Sequence, residues 1–368
     1  MSQLDATNAV EEFAACSLYA SPRWLAVQAE GGRPPSRIVT AAAPNGRPRC
    51  LLPIYDVLPT RNARYGTKHL FRGVPASAHP GALMFGGLMS GYQTDIALAQ
   101  AVDADAVLAS ALHQARAPRP ESVLVLPYAR HELAVRLATL EPSATLLLEA
   151  ADAWLFNPYD SVEALWAASS ARIRHVVRND ERRFAASGLD TAVLPLGEHI
   201  HAFAALVSQH AARHGLTESA VELAIYLAAV SRHFGEDAVL LAALERGRLV
   251  AGALGLIHGK YLYMRMVGNE PSVVAGTAAH FVLSFYNALR YSSARRLHGV
   301  HVGLCLDRTK RARGAKLSPL WTVVIGGDLR GFDARTLTSA RLSELSQADP
   351  SGAGDLRQTL SFDESVSR

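Results

Sequence analysis

The chain has 368 residues, of which 49% are hydrophobic, and a formal net charge of +4 at pH 7. Its length fits two domains, and its apolar content excludes a globally disordered protein. The three cysteines lie far apart with no C-x-x-C pair, so neither a disulfide framework nor a zinc site is expected. No apolar run reaches membrane-spanning length and no signal-peptide pattern is present, which predicts a cytoplasmic protein.

The first half of the chain alternates strand-like and helix-like patterns. Residues up to about 32 look helical, and an Asn-Gly turn at 44–47 joins two strand-like runs at 37–43 and 49–58. The other predicted elements here are a helix at 96–116, a strand at 122–126, a helix at 131–140 and a strand at 145–156.

A strongly basic helix is predicted in the middle of the chain. Asp160 or Ser161 is a suitable N-cap for it, and Gly188 is a suitable C-terminal stop. Its arginines form one cationic stripe, Arg174, Arg178 and Arg182, which Arg172 and Arg183 widen. Such a stripe is either a solvated helix face or a phosphate-binding surface, and the sequence leaves both interpretations open.

The second half contains an antiparallel meander. Its apolar runs at 238–244, 249–257 and 261–268 are separated by short turns that contain glycine. Strict alternation places Tyr261, Tyr263 and Arg265 on one face of the third strand, where they form either a solvated face or a pocket wall. The remaining elements are helices at 198–214, 217–234 and 277–296, a strand at 297–305, a basic loop at 307–316, a strand at 317–325 and a helix at 334–345.

The two halves repeat the same order of elements. Placing Gly46 over Gly247, an offset of about 201 residues, aligns the two hairpins and the elements that follow them. We therefore predict an α/β protein with a mixed sheet, built from two copies of one unit. The predicted divisions are an N-terminal domain at 1–159, a connecting helix at 160–190, a C-terminal catalytic domain at 191–330 and a polar, partly mobile tail at 331–368.

Several catalytic motifs are missing from the sequence. It contains no G-x-S-x-G elbow, no P-loop and no G-x-G-x-x-G, which leaves hydrolase, P-loop and Rossmann functions without support. His210 and His214 have the spacing of metal ligands but lack the neighbouring glutamate, so no metal site is predicted. The stretches at 267–280 and 85–93 lack the glycine-rich loop that would hold the pyrophosphate of CoA, which makes CoA the weaker donor candidate.

The loop at 307–316 concentrates positive charge. Lys310 and Lys316 are two of only four lysines in the chain, and Gly314 permits a tight backbone turn. Five cations in nine residues between two strands predict a ligand-binding role. These cations are Arg308, Lys310, Arg311, Arg313 and Lys316.

These motifs carry a resemblance to a known family. The basic helix at 170–184, the meander with its Y-L-Y-M-R segment and the K-x-x-R-G turn formed by Lys310, Arg313 and Gly314 resemble the FemAB/FemX-type branch of the GNAT acetyltransferase superfamily. The resemblance covers residues 160–325 well and the first half mainly by element order. It implies tandem GNAT-like acyltransferase domains that move an aminoacyl group from aminoacyl-tRNA to an amine, with no further cofactor. The implied acceptor is a small molecule, such as an amine in natural-product biosynthesis, or a peptide-like amine.

Each candidate residue then has a role on this interpretation. Lys310 donates to the oxyanion or to a phosphate, and Asp307 accepts a proton or orients the amine. The expected substrate-binding residues are Tyr261, Tyr263, Arg265 and Arg313. The expected tRNA-binding residues are Arg172, Arg174, Arg178, Arg182, Arg183, Arg308, Arg311 and Lys316. Two alternatives stay open: an N-acyltransferase that uses CoA or a carrier thioester, and a non-catalytic anion-binding protein.

Overall fold

The computed structural model describes residues 13, 16–31, 34–41, 48–56, 65–87, 91–99, 103–304, 308–326, 334–348 and 356. The chain divides into two compact units. Unit 1 comprises Met1–Asp152, Leu304–Asp307 and Leu317–Arg368, and unit 2 comprises Ala153–Gly303 and Arg308–Lys316. This division differs from the predicted boundaries: residues 153–159 and the basic segment at 160–190 are part of unit 2, and residues 304–307 and 317–330 are part of unit 1.

Unit 1 contains a mixed sheet with helices around it. Its strands are β1 (Arg37–Val39), β2 (Cys50–Tyr55), β3 (Leu83–Gly86), β4 (Ala97–Leu98), β5 (Val123–Arg130), most of β6 (Thr145–Phe156) and all but the first residue of β12 (Lys316–Ile325). Its α-helices are α1 (Pro22–Glu30), α2 (Thr67–Leu70), α3 (Ala104–Arg116), α4 (His131–Leu140) and α13 (Ala334–Ala348).

The order of strands in unit 1 is β1-β2-β3-β5-β12-β6, with β4 on β2. Strand β12 therefore lies between β5 and β6, although the other strands of unit 1 come from residues 37–156. A continuous apolar core that includes Leu52, Leu124, Leu148 and Val323 covers one face of these strands. Burial of this kind of apolar surface is the main stabilising contribution to the unit.

Unit 2 contains the predicted meander. Its strands are β7 (Asp190–Pro195), β8 (Ala238–Glu245), β9 (Arg248–His258), β10 (Tyr261–Asn269) and β11 (Gly299–Leu304). The last residue of β11, Leu304, falls in unit 1. Its helices are α5 (Val162–Ala168), α6 (Ala171–Ala185), α7 (Leu196–Arg213), α8 (Ala220–Phe234), α9 (Pro271–Val274), α10 (Ala279–Phe281), α11 (Ala288–Ala294) and α12 (Arg308–Arg311). A π-helical segment, Val282–Asn287, joins α10 to α11.

The pairing of strands confirms the predicted repeat. In unit 1, β1 and β2 are antiparallel, β2 and β3 are antiparallel, and β3 and β5 are parallel. In unit 2, β8, β9, β10 and β11 repeat this pattern in the same order. The predicted mixed α/β class with tandem GNAT-like units is thus confirmed. The turn at 44–47, which includes Gly46, lies outside the described residues.

Two predicted helices need correction. The predicted helix from 160 to 187 is two helices, because the Ser170 hydroxyl accepts from the Ile173 amide at 3.3 Å and starts a new helix there. The predicted helix at 96–116 begins only at Ala104, where Asp103 is the N-cap, and residues 97–98 instead pair with β2. No helix in the described ranges has both the length and the apolar character needed to cross a membrane.

Candidate functional site

An open pocket of about 430 Å³ lies between helices α6 and α12 in unit 2. Both helices come from the two segments that the sequence singled out as basic. The residues that line the pocket are Arg172, His175, Val176, Asn179, Asp180, Arg183, Arg308, Thr309, Ala312 and Arg313. Four arginines and a single acid give it a strongly positive character, which suits an anionic ligand.

The pocket uses one particular face of α6. Arg172, His175, Asn179 and Arg183 are spaced three or four residues apart, so they project from the same side of the helix. The predicted stripe of Arg174, Arg178 and Arg182 is not part of this lining. The pocket thus lies on the predicted basic helix, but on a face next to that of the predicted stripe.

The stripe arginines have other surroundings. Arg174 donates to the carbonyl of Ala167 at 3.2 Å and also to the carbonyl of Ser169, so it closes the C-terminal end of α5. Arg182 donates to the side chain of Asn179 at 2.8 Å on its own helix. Arg178 is exposed, and its side chain makes no hydrogen bond to another described residue. Of the three, only Arg174 thus bonds to another helix.

Arg183 links α6 to the loop after β10. Its Nε donates to the carbonyl oxygen of Gly276 at 2.8 Å, which leaves the Nη atoms of the guanidinium for other acceptors. This loop is the stretch that would have to hold a pyrophosphate in a CoA-dependent enzyme. Its Glu270 accepts from Arg248 at 2.6 Å.

A buried ion pair forms the base of the pocket. Nε and Nη2 of Arg313 lie 2.8 and 2.7 Å from Oδ2 of Asp180, and the hydroxyl of Tyr286 donates to the same oxygen at 2.7 Å. Nη1 of Arg313 donates to the carbonyl of Thr309 at 2.9 Å, and its guanidinium lies 3.4 Å from the centre of the Phe281 ring. The pKa of Tyr286 is raised, mainly because the side chain is buried and secondarily because it bonds to Asp180.

This pair changes the charge that a ligand would meet. Arg313 and Asp180 neutralise one another within the protein, since both side chains are almost fully buried. The remaining cations of the lining are Arg172, Arg183 and Arg308. In the part of the chain that the structure describes, no carboxylate pairs with any of these three.

The K-x-x-R-G turn forms the short helix α12 and the turn after it. Gly314 has a φ of +89°, which a residue with a side chain rarely adopts, so the glycine of the motif has a backbone role. The amide nitrogens of Arg313 and Ala315 donate to the carbonyl of Lys310 at 3.0 and 3.2 Å. Lys310 itself donates from Nζ to the carbonyl of Val302 in β11 at 2.6 Å, which fixes its position at the end of that strand.

The other predicted residues of this loop lie around α12. Arg308 is exposed and lines the pocket, whereas Arg311 is half-buried and Lys316 is exposed at the start of β12. Neither Arg311 nor Lys316 belongs to the lining of the pocket. Asp307, the predicted proton acceptor, lies outside the described residues.

The predicted pocket wall on β10 is an aromatic cluster instead of a lining of this pocket. Tyr261 and Tyr263 contact Trp154, with ring centres 5.2 and 5.8 Å away, and Tyr263 is buried. His301 of β11 lies against Trp154 at 4.7 Å. A β-bulge places Arg265 between the paired residues 264 and 266, so the predicted alternation does not extend through Arg265.

Several residues of the site are absent from the predicted set: His175, Asn179 and Thr309 in the lining, and Asp180, Tyr286 and Phe281 at its base. One signal was available: Asp180 is an acid on the apolar side of an otherwise basic helix, near the buried Val177 and Phe184. The π-helical segment that contains Tyr286 has no clear sequence signature.

The described residues contain no cluster of three or more metal-ligating side chains. His210 and His214 lie 4.8 Å apart between ring centres, and a ring nitrogen of His210 is 2.9 Å from the amide nitrogen of Asn269. Burial, the neighbouring His214 and Arg213 lower the pKa of His210. Cys16 and Cys50 are buried free thiols.

Solved structures similar to this chain share its fold. The C-terminal domain of a protein from Agrobacterium fabrum, assigned as a lysylphosphatidylglycerol synthetase, aligns over 92% of this chain and 96% of that chain, with 11% identity and a TM-score of 0.54. L-PGS from Bacillus licheniformis covers 85% of this chain and 90% of its own, with 12% identity and a TM-score of 0.54. FemX covers 86% and 95%, with 12% identity and a TM-score of 0.53.

The sequence itself gives the family. No curated protein matches the chain. A family described as FemAB-like, peptidoglycan biosynthesis/recognition, matches residues 89–326, which is well over half of the chain and includes the whole pocket. The solved structures show the fold, and the family model adds the family. This chain belongs to the FemAB-like family.

Proposed function

We propose that this protein transfers an aminoacyl group from aminoacyl-tRNA to the amine of a small-molecule or peptide-like acceptor and thereby forms an amide bond. The observation that carries the proposal is the open pocket of unit 2, in which Arg172, Arg183 and Arg308 are not paired with an acid of the described chain. Guanidinium groups bind phosphate through paired N–H donors, so three of them fit the phosphates of a tRNA end.

The chemistry needs no covalent intermediate on the protein. An aminoacyl ester is already activated, so the site has to hold a neutral amine within attack distance and stabilise the oxyanion that forms. We propose Lys310 for the second task. Its bond to the carbonyl of Val302 orients the ammonium at the end of β11, and an ammonium has three N–H donors. Asp307 remains our proposed proton acceptor.

The loop after β10 favours tRNA over CoA as the donor. A pyrophosphate would need several free amide groups and no nearby negative charge. Here the carbonyl of Gly276 accepts from Arg183, and Glu270 lies in the same loop. The exposed Arg178, Arg182 and Lys316, together with the half-buried Arg174 and Arg311, stay proposed contacts for the tRNA outside the pocket.

Transfer assays test this proposal directly. Mixed labelled aminoacyl-tRNA is incubated with a panel of amines, diamines and dipeptides, and amide products are identified by mass spectrometry. We expect products with aminoacyl-tRNA and none with acetyl-CoA in assays treated with ribonuclease. Product formation from acetyl-CoA under those conditions, or an absence of tRNA binding, contradicts the proposal and favours one of the two alternatives.

Charge-neutralising variants test the pocket. Arg172→Gln and Arg308→Gln should each weaken tRNA binding and reduce the slope of log affinity against log salt by about 0.7–0.9. The matched control is Arg213→Gln, because Arg213 is an exposed arginine of unit 2 at the end of α7, outside the pocket. If the control weakens binding as much as the pocket variants do, the pocket is not the phosphate site.

A further inference from the structure

The two carboxylate oxygens of Asp180 differ in the hydrogen bonds that they accept. Oδ2 accepts from three donors, which are Nε and Nη2 of Arg313 and the hydroxyl of Tyr286. Within the described residues, no donor contacts Oδ1. An ionised carboxylate can accept about four hydrogen bonds over its two oxygens, so Oδ1 keeps its capacity to accept.

This arrangement differs from that of an ordinary structural pair. A guanidinium that only neutralises a carboxylate commonly engages both oxygens through two parallel hydrogen bonds. Here the guanidinium of Arg313 addresses a single oxygen, and its Nη1 is directed to the carbonyl of Thr309. Asp180 is only 2% exposed, yet it is part of the lining of the pocket. Oδ1 is not one of the buried side-chain atoms that lack a partner, so it reaches the solvent of the pocket, where a ligand can supply a donor.

The chemistry of the pocket identifies the class of donor. Phosphate groups would lie with Arg172, Arg183 and Arg308, which repel any further cation in the open part of the pocket. Asp180 is the one acid of the lining, and although Arg313 balances its charge, its Oδ1 can still accept a hydrogen bond from an ammonium group of the ligand. A ligand with both phosphate and ammonium groups satisfies the arginines and Oδ1 together.

We propose that Oδ1 of Asp180 binds the α-ammonium group of the aminoacyl donor whose phosphates lie on the pocket arginines. This rests on the proposed function and adds a specificity-determining residue to it. Arg313 and Tyr286 are positioning residues, because they hold Oδ2 and so direct Oδ1. Asp180 thereby distinguishes a donor with a free α-amine from one whose amine is absent or acylated.

Two matched probes test this assignment. The first is 3′-alanylamino-3′-deoxyadenosine 5′-phosphate, and the second is its 3′-propanoylamino counterpart, which differs only by lacking the ammonium group. Titration calorimetry measures both affinities. The wild-type protein should bind the alanyl probe about tenfold to a hundredfold more tightly than the propanoyl probe, as expected for a charge-assisted hydrogen bond.

Variants show which residue provides the preference. Asp180→Asn should reduce the ratio of the two affinities to within threefold. Arg308→Gln should weaken both probes by a similar factor and keep the ratio. Tyr286→Phe removes a donor to Oδ2 alone, so it should keep a ratio of at least about tenfold, and a general disturbance of the pocket would not give this pattern.

Three outcomes overturn the assignment: equal affinity of the wild-type protein for the two probes, no measurable binding of the alanyl probe, or an unchanged ratio in Asp180→Asn. The wild-type comparison needs no variant, so the test stands even if Asp180→Asn fails to fold. Turnover of aminoacyl-tRNA without a preference between the probes would refute the role of Asp180 and leave the proposed function standing. A strong preference without turnover would refute the proposed function instead.

Discussion

Two atoms of Arg313 reach the same oxygen of Asp180, at 2.8 and 2.7 Å, although 133 positions separate the two residues in the sequence. The side chains are only 9% and 3% exposed, so solvent screens their attraction weakly. This pair fastens the turn after α12 to helix α6. The position of the basic loop therefore depends on a contact that is distant in sequence.

Breaking this pair should destabilise the protein strongly. Arg313→Met leaves the charge of Asp180 buried and unpaired, and we expect a loss of about 3–5 kcal/mol in the free energy of unfolding, measured by urea denaturation. Tyr286→Phe is the milder comparison and should cost about 1 kcal/mol, the value of one hydrogen bond. The double variant Asp180→Asn/Arg313→Met should cost less than the sum of its single changes. Strict additivity would show that the two side chains do not interact.

Arg174 and Arg178, which lie one turn apart on α6, should differ in their contribution to stability. Arg174→Ala removes the donor that closes the end of α5, so we expect a loss of about 1 kcal/mol in unfolding free energy. Arg178→Ala removes an exposed side chain and should change stability by less than about 0.5 kcal/mol. Thermal and urea unfolding of both variants provide the comparison. Equal stability of the two would mean that Arg174 has no structural role.

Lys310 should affect turnover more than stability. If its ammonium stabilises the oxyanion, Lys310→Ala should lower kcat about 100- to 1,000-fold, and Lys310→Arg should lower it less. The bond to Val302 is worth about 1 kcal/mol, so only a small decrease in Tm is expected. The assay requires saturating donor and acceptor. A kcat within threefold of wild type for the alanine variant would remove Lys310 from the mechanism.

Stability should fall in alkali, in part because of Tyr286. Burial raises its pKa in the folded state above the unfolded value near 10, so its contribution is present below about pH 10 and is lost as the pH rises through the folded pKa. Burial also raises the pKa of Tyr55 and of Cys50 to about 12, and these groups act equally in a Tyr286→Phe variant.

The difference in unfolding free energy between wild type and Tyr286→Phe therefore reports the ionisation of Tyr286 alone. Urea denaturation at pH 8 and at pH 11 should show that the stability advantage of the wild type shrinks by up to about 1.4 kcal/mol. An advantage that is the same at both pH values would show that Tyr286 is not buried against Asp180 as described.

Elements with strong periodicity were predictable from the sequence. The strand at 145–156 has the predicted limits, and the meander and the helices at 131–140 and 334–348 are confirmed with small shifts of their ends. The helix start at 104 was missed because Ile96 to Leu98 fits an apolar helix pattern equally well. This segment is a strand because it pairs with Cys50 and Leu51, and a local sequence pattern does not show pairing between distant residues.

The site was predictable only in part. The density of positive charge in the sequence singled out Arg172, Arg183 and Arg308, which line the pocket, because clustered cations can be seen in a sequence alone. The helical spacing of Arg174, Arg178 and Arg182 was equally regular, and only the break at Ser170 and the packing of α12 decide which face lines the pocket. The roles of Asp180 and Tyr286 depend on a contact across 106 positions, which a single sequence does not reveal.

Strand β12 has a consequence for synthesis on the ribosome. Among the strands of the described residues it is made last, yet it lies between β5 and β6 in the unit 1 sheet. While residues 153–316 are being translated, β5 lacks its antiparallel partner β12, so the backbone N–H and C=O groups on that edge of β5 are unpaired. A chain that stalls or is cut in this interval carries an unfinished sheet edge, a form prone to aggregation and a natural substrate for chaperones.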